Sequence, residues 1–274
     1  MAEPVPWKAA EGTPAEILRR HPDPLAAMAR ARLPATVLRR AYDPDQARAL
    51  LARCVERGLM PPRAPEGRTR VDIGTSLGNK GADKEAFLRH AAETRALFDD
   101  LFAGLDDPVR AMYGALAALA PDKEVKTARE PDGRLYGPAI FRIHYTQHAY
   151  RPHIDHVVLR EKRFDYAVSR FRHQFAGVLC LQNADDGGAA PQALLHRCLW
   201  TPAIEPHLEN ATFGDYAAER GIERCRVDLE PGDLYFFNTR CLHEVPAVPG
   251  QRARAVLAVF FAYSPADREI YVWS

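Results

Sequence analysis

The chain has 274 residues, of which 47% are hydrophobic, 37 are basic and 36 are acidic. This hydrophobic content suffices for a buried core, and the near balance of charge leaves no general field that would attract nucleic acid or an anionic membrane. No apolar run is long enough to span a membrane, and the N-terminus lacks the basic start and apolar stretch of a secretory signal. We therefore expect a cytoplasmic globular protein that binds a small molecule, with no nucleic-acid or membrane partner. A homodimer is one assembly that the sequence allows.

The five cysteines are scattered and form no Cys-x-x-Cys pair. An odd, dispersed set predicts neither a disulfide framework nor a zinc knuckle. Free cysteine is among the most often buried residues, so we expect reduced, structural thiols.

The first part of the chain shows helical spacing interrupted by turn signals. Helical patterns are predicted near 14–31, 44–58, 82–104 and 107–120, and the pairs Asp43-Pro44 and Asp107-Pro108 are typical of helix starts. A short strand pattern covers 70–73. The surrounding segment 69–81 contains three glycines, which predicts a loop that closes as a lid or serves as a plain linker.

After Pro121 the pattern changes to short runs of β type separated by turns. The predicted strands are Ala139–Tyr145, Ile154–Leu159, Phe175–Gln182, Ala193–Trp200, Cys225–Leu229, Asp233–Phe237 and Ala253–Tyr263. Turn signals stand at 185–188 and 230–233. Many short strands close together favour an α+β fold with a mainly β core of sandwich or jelly-roll type. We expect an N-terminal helical extension over 1–137 and the β core over 138–274, with an insertion at 201–224.

Two histidines and one aspartate carry the main chemical signal. His153 and Asp155 are two residues apart, and His243 lies far downstream. Side chains two apart in an extended strand point to the same side, so His153 and Asp155 converge while Ile154 turns into a core. Two imidazoles and one carboxylate leave half of an octahedral metal open, as a non-haem Fe(II) centre requires. The nearby His144, His148 and His156 are interpreted as neighbours of the site or surface groups.

In combination, these motifs resemble the Fe(II)- and 2-oxoglutarate-dependent dioxygenases over roughly residues 138–264. The resemblance implies a double-stranded β-helix, the jelly roll of cupins, with N-terminal helices buttressing one sheet. It implies His153, Asp155 and His243 as metal ligands, with Fe(II) as the metal and 2-oxoglutarate and O₂ as co-substrates. Arg252, in Gly-x-Arg, matches the family's 2-oxoglutarate clamp, and Arg254 is the rival. Tyr145 lies where relatives place a tyrosine near the co-substrate, and a core-packing role is its alternative.

The retained carboxylate of Asp155 bears on the reaction type. Related halogenases have a small residue there, so that chloride binds the iron. The resemblance therefore implies hydroxylation in preference to halogenation. The match departs from the family at 188–191, where many relatives carry an acidic residue, and the function of that segment is left open.

The loop 159–172 is strongly basic and is predicted to lie at the mouth of the barrel. Such a run is usually a solvated face, but its position makes an anionic substrate plausible. The candidate substrate residues are Arg160, Arg163, Arg197, Gly78 and Phe260.

The resemblance implies hydroxylation of an aliphatic C–H of a small carboxylate-bearing molecule, such as an amino acid or an N-substituted (N-acyl) amino acid. One alternative is a protein or peptide hydroxylase of prolyl-hydroxylase type, which needs an open groove. Another is a jelly-roll module that binds a small acid or a protein without turnover.

Overall fold

The computed structural model describes residues 6–184, 190–248, 250 and 252–274. Within these residues the fold is mixed α/β, with one large sheet, one small sheet and helices that cover the large sheet. No helix in the described ranges is long and apolar enough to cross a membrane.

Helices occupy about half of the first 120 residues and recur in the insertion. Their bounds are Pro14–Arg20 (α1), Pro24–Ala29 (α2), Pro44–Glu56 (α3), Leu77–Lys80 (α4), Lys84–Leu101 (α5), Pro108–Leu119 (α6), Glu205–Glu209 (α7) and Phe213–Glu219 (α8), with a 3-10 turn at Ala167–Arg170.

The strands are Ala10–Glu11 (β1), Ala35–Leu38 (β2), Arg70–Ile73 (β3), Glu124–Thr127 (β4), Ile140–His144 (β5), Tyr150–His153 (β6), His173–Gln182 (β7), Ala190–Leu199 (β8), Arg224–Leu229 (β9), Leu234–Asn238 (β10), Cys241–Val245 (β11), Arg254–Tyr263 (β12) and Glu269–Trp273 (β13). The large sheet runs β1-β2-β10-β7-β12-β13-β4, and β12 also pairs with β5, which pairs with β3. The small sheet runs β6-β11-β8-β9.

Asp-Pro pairs begin three of the helices, as the sequence predicted for two of them. The side chains of Asp23, Asp43 and Asp107 accept backbone N–H groups of Ala26, Asp45 and Val109 at 2.8, 2.7 and 2.8 Å. Each aspartate satisfies a donor that the first helical turn leaves unpaired, and the following proline has no N–H to leave unpaired.

The main core lies between the helices and one face of the large sheet. Leu50, Phe98 and Leu116 from the helices pack there with Phe141 and Leu257 from the sheet. The predicted buttressing of one sheet by N-terminal helices is thus confirmed.

A second core lies between the two sheets. It joins Ala176 and Tyr235 of the large sheet to Leu195 and Val227 of the small sheet. A cavity lined by residues of both sheets contains the three candidate ligands.

Several predicted boundaries need correction. The predicted strand Ile154–Leu159 is wrong, because the strand lies earlier, at Tyr150–His153, and the chain then turns. The stretch 14–31 forms two helices, separated around Asp23. Strands β1, β2, β4 and β13 were not predicted and add to the large sheet. The predicted turn at 185–188 lies outside the described residues.

Candidate metal centre

His153 and His243 are brought together by pairing of β6 with β11. The two residues are direct partners in this antiparallel pair, and their ring centroids are 4.2 Å apart. Residues opposite each other in an antiparallel pair have neighbouring side chains on one face. The small sheet therefore supplies two imidazoles to one point.

Backbone carbonyls fix the orientation of both rings. Nδ1 of His153 lies 2.7 Å from the carbonyl oxygen of Arg151, and Nδ1 of His243 lies 2.9 Å from that of Cys241. A carbonyl can only accept, so each Nδ1 carries the hydrogen and each neutral ring keeps its lone pair on Nε2. Metal-binding histidines are usually held in this way.

Asp155 completes the group from the turn that follows β6. Its Oδ2 lies 3.7 Å from Nε2 of His153 and 3.4 Å from Nε2 of His243. Its backbone N–H donates to the carbonyl of Thr239 at 3.2 Å, and Arg160 Nη1 donates to its Oδ1 at 2.8 Å. One carboxylate oxygen thus faces the histidines while the other is held by a cation.

The ionisation of Asp155 reflects opposing effects. Burial raises the pKa of this carboxyl, but its interactions with His153 and His243 outweigh burial and hold the pKa well below its usual range. Burial lowers the pKa of His243, and the neighbouring His153 adds to this effect. Divalent metals bind a deprotonated carboxylate and neutral imidazoles, and the pKa shifts of Asp155 and His243 both favour that state.

The three side chains form a set that could hold a metal ion. Their ligand atoms all lie within 4.8 Å of one another. Ile154 points away into a small cluster with Phe213 and Leu242, as the alternation predicted. The donor set of two imidazoles and one carboxylate fits Fe(II) with open positions.

The triad lines a cavity of about 100 Å³, which we call the first chamber. Its wall includes Arg142, His144, Val178, Tyr235, Arg254 and Phe260. A second chamber of about 140 Å³ shares Arg142, Tyr150, Asp155, Arg160 and Phe260 with the first and adds Gly78, Asn79 and Trp273. The shared residues make the two chambers neighbours around Asp155.

A larger cavity of about 590 Å³ lies under α7 and α8 in the insertion. His196 and Glu244 line it and are joined by a 3.1 Å hydrogen bond. It contains none of the triad, so its size does not make it the metal site.

Arg254 and His144 form a buried pair in the first chamber. They are direct partners across β12 and β5, and they are 5% and 3% exposed. Arg254 Nη2 and Nε lie 2.8 and 3.2 Å from Nδ1 of His144. Burial and the charge of Arg254 hold the pKa of His144 well below its usual range, so the imidazole is neutral.

The structure separates the two predicted co-substrate arginines. Arg254 begins β12 and faces the first chamber, whereas Arg252 precedes the strand, is exposed and donates to Gln182 Oε1 at 3.3 Å. Arg254, the rival candidate, is thus the arginine that lies in the chamber of the triad, and Arg252 lies outside its lining. Tyr145 packs in the core on the helix side and donates to the carbonyl of Pro61 at 2.7 Å. It lies outside both chamber linings, which favours its core-packing role.

The predicted substrate residues divide into two groups. Arg160 and Phe260 line both chambers, and Gly78 lines the second. Arg163 donates to the carbonyl of Gly78 at 3.0 Å but lines neither chamber. Arg197 is exposed, pairs with Glu223 and lies away from both chambers.

Two chamber residues, Arg142 and Trp273, were missed as candidates, and His144 was expected only as a neighbour of the site or a surface group. The alternation of β5 was the available signal, because Ile140, Arg142 and His144 share one face while Phe141 and Ile143 share the other. Trp273 gave no comparable signal, since its place depends on how β13 joins the sheet.

Comparison with known proteins identifies related sequences and folds. The sequence model of the family described as carrier-protein-independent halogenase WelO5 matches residues 13–274. No curated protein matches the sequence.

One similar solved structure is an N-substituted L-amino acid dioxygenase from Burkholderia ambifaria AMMD in complex with α-ketoglutarate. It has a TM-score of 0.56 at 16% identity, over 92% of this chain and 90% of that chain. At this identity the likeness shows a shared fold.

Two further structures are similar at TM-scores below 0.5, and neither adds to the fold assignment. The epimerase SnoN from nogalamycin biosynthesis has a TM-score of 0.47 at 12% identity, over 90% of this chain and 86% of that chain. A Pseudomonas putida prolyl-4-hydroxylase has a TM-score of 0.40 at 18% identity, over 88% and 96%.

Proposed function

Because this chain belongs to the family of the carrier-protein-independent halogenase WelO5, a family of non-haem iron oxygenases that use 2-oxoglutarate, we propose that it hydroxylates an aliphatic C–H of a small carboxylate-bearing molecule. The enzyme class and the co-substrates expected from the resemblance are thereby confirmed. The reaction and the substrate are the proposal. The observation that carries it is the carboxylate of Asp155 between the two histidines.

The carboxylate of Asp155 bears on the choice between hydroxylation and halogenation. A halogenase needs a metal position that is open to halide. Related halogenases obtain this position by replacing the carboxylate with a small residue. Here the Oδ2 atom of Asp155 lies within 3.7 Å of both Nε2 atoms, where it would occupy that position. We therefore place hydroxylation ahead of halogenation despite the family's name.

We assign the iron to His153, Asp155 and His243. When bound, Fe(II) with 2-oxoglutarate and O₂ supplies the oxidising power for breaking a C–H bond, and the protein positions the substrate. Arg160 holds Oδ1 of Asp155, so the carboxylate presents one oxygen to the metal. The carbonyls of Arg151 and Cys241 prevent both rings from rotating away.

We assign the far carboxylate of 2-oxoglutarate to Arg254 with His144. A guanidinium only donates, so Nδ1 of His144 must accept and the ring hydrogen lies on Nε2. That Nε2 is buried and has no hydrogen-bond partner among the described residues. Arg254 and the His144 N–H together form a cationic pair of donors suited to a carboxylate.

We assign the two facing sheets to a double-stranded β-helix, with 138–274 as the catalytic core. The shared fold with the Burkholderia dioxygenase supports this assignment. The mixture of apolar walls and arginines in the chambers suits a small aliphatic acid, and N-substituted amino acids are the first class to test.

The test is turnover of the purified protein with Fe(II), 2-oxoglutarate, ascorbate, O₂ and chloride, over a panel of amino acids and their N-acyl derivatives. We expect succinate together with a product heavier by one oxygen. His153→Ala should abolish both signals. A product carrying the chlorine isotope pattern would contradict hydroxylation and favour the family's named activity, and absence of succinate with every compound would favour a binding module.

A further inference from the structure

Arg142 stands on the chamber face of β5, two residues before His144. Its strand partners are Val256 of β12 and Asp72 of β3. Arg142 and Arg160 both line the two chambers. Arg160 is hydrogen-bonded to the triad residue Asp155, whereas Arg142 is not. Its position is thus central to the space beside Asp155.

The other arginines around the chambers are committed to protein partners. Arg70 pairs with Asp72 at 2.9 Å and contacts the Tyr150 hydroxyl, Arg160 pairs with Asp155, and Arg254 pairs with His144. Arg142 makes no ion pair or hydrogen bond through its side chain within the described part of the chain, and its Nε is buried without an acceptor. A partly buried cation without a partner is costly in a folded protein.

Two further polar groups, on residues that line the chambers, lack hydrogen-bond partners among the described residues. Nε1 of Trp273 and Oγ of Ser274 are buried without a partner among the described residues, and both residues are 1% exposed. Trp273 lines the second chamber and Ser274 lines the first. An indole N–H and a guanidinium only donate, so the groups of Trp273 and Arg142 suit an acceptor supplied by a bound molecule.

We propose that Arg142 and the indole N–H of Trp273 form a subsite that binds the carboxylate of the substrate next to the iron ligands. This proposal rests on the proposed function and specifies its substrate as an anion. A guanidinium binds a carboxylate through two parallel hydrogen bonds. Arg254 and His144 line the first chamber but not the second. The co-substrate and the substrate therefore have separate cationic anchors.

One competing partner is Asp72, which is paired with Arg142 across β3 and β5. Its Oδ2 is held by Arg70 at 2.9 Å and by Asn79 at 3.3 Å, while its Oδ1 has no partner among the described residues. If Asp72 were the true partner of Arg142, the subsite would have no preference for anions. The experiment must therefore measure preference for charge and not turnover alone.

The experiment compares binding of acids with binding of their amides. The probes are N-acetyl-L-leucine, N-acetyl-L-valine and hexanoate, each beside its primary carboxamide, titrated calorimetrically with Mn(II) and 2-oxoglutarate present. The proteins are wild type, Arg142→Met, Arg142→Lys, Trp273→Phe and the exposed control Arg197→Met. Thermal unfolding checks that each variant is folded, and Trp273→Phe and Arg142→Lys keep the test usable if Arg142→Met does not fold.

We expect wild type and Arg197→Met to prefer at least one acid over its amide. Arg142→Met should lose roughly tenfold to a hundredfold in affinity for the acid with little change for the amide, as expected for a lost charge-assisted bond. Arg142→Lys should recover part of that loss. Trp273→Phe should weaken binding of the acid and leave binding of the amide unchanged.

The proposal would be overturned if wild type bound no acid more tightly than its amide. It would also be overturned if Arg142→Met kept the wild-type preference for the acid. Loss of 2-oxoglutarate binding in Arg142→Met with acid preference intact would also overturn it, because Arg142 would then belong to the co-substrate site. Binding is measured without turnover. Failure of the proposed hydroxylation would instead be recognised by absent succinate in the wild-type assay with Fe(II).

Discussion

Arg254 donates through Nη2, at 2.8 Å, to Nδ1 of His144, its direct partner across β12 and β5. The bond forces the hydrogen of His144 onto Nε2, since a guanidinium cannot accept. One contact therefore orients the buried cation and also creates a second donor beside it. The structure thus places His144, which the sequence predicted only as a neighbour of the site or a surface group, against the arginine that we propose as the co-substrate clamp.

Replacing His144 should weaken 2-oxoglutarate binding without removing the metal. His144→Phe removes both the acceptor for Arg254 and the Nε2 donor, and we expect the dissociation constant of 2-oxoglutarate to rise roughly tenfold to a hundredfold. His144→Asn keeps a side-chain acceptor and should recover part of the loss. Calorimetric titration of 2-oxoglutarate with Mn(II) measures both, and unchanged affinity in His144→Phe would contradict the assignment.

Arg254 and Arg252 offer a matched pair of substitutions. Arg254→Met removes the buried guanidinium of the first chamber, so 2-oxoglutarate affinity should fall at least as far as in His144→Phe. Arg252→Met changes an exposed residue outside that chamber and should leave the affinity within about twofold, in keeping with the small effects of surface substitutions. The reverse result would restore the sequence-based preference for Arg252.

The triad shows what spacing predicts well. Alternation was enough to place His153 and Asp155 together with Ile154 turned away, although Asp155 lies just beyond the strand. Pairing with His243 depends on the register of β6 and β11, which no local pattern contains. The family resemblance supplied that long-range step.

The errors have local physical causes. Ile154–Leu159 contains β-favouring residues, yet the backbone N–H groups of Val158 and Leu159 donate to Nδ1 of His156 at 3.2 and 3.3 Å, which stabilises a turn in place of a strand. Arg252 and Arg254 have the same strand parity, so only the actual start of β12 separates them. Trp273 could be placed only once β13 was known to pair with β12.

Removing the carboxylate of Asp155 should make metal binding respond to halide. Asp155→Ala loses one ligand and opens one position, so metal affinity should fall at least tenfold, the range seen when groups that support a metal are lost. Chloride should then recover part of the affinity in the variant and have no effect in wild type. Mn(II) titrations with chloride or with sulfate at equal ionic strength measure this, and equal halide dependence in both proteins would argue against Asp155 as a ligand.

The cysteines should react slowly in the folded protein. Burial raises the pKa of Cys54 to about 11 and those of Cys180 and Cys241 to about 12. Raised values leave almost no thiolate at neutral pH, and the thiolate is the nucleophile. Ellman's reagent at pH 8 should first modify the partly exposed Cys198, and all five thiols should react in denaturant. Rapid modification of Cys180 or Cys241 in native protein would contradict this burial.

A side chain at Gly177 should destabilise the fold, because this residue of β7 packs against side chains of β10 and β12 in the core. A Cβ there would meet Phe236 Cε1 at 2.6 Å and Val259 Cγ2 at 3.0 Å, and such overpacking costs about 1–3 kcal/mol. Gly214 in α8 is the control, since a Cβ there meets nothing within 4 Å and alanine favours a helix by about 0.5–1 kcal/mol. Urea unfolding should show Gly177→Ala less stable than wild type and Gly214→Ala equally or more stable. Equal stability of the two variants would mean that β7, β10 and β12 pack less closely than the structure indicates.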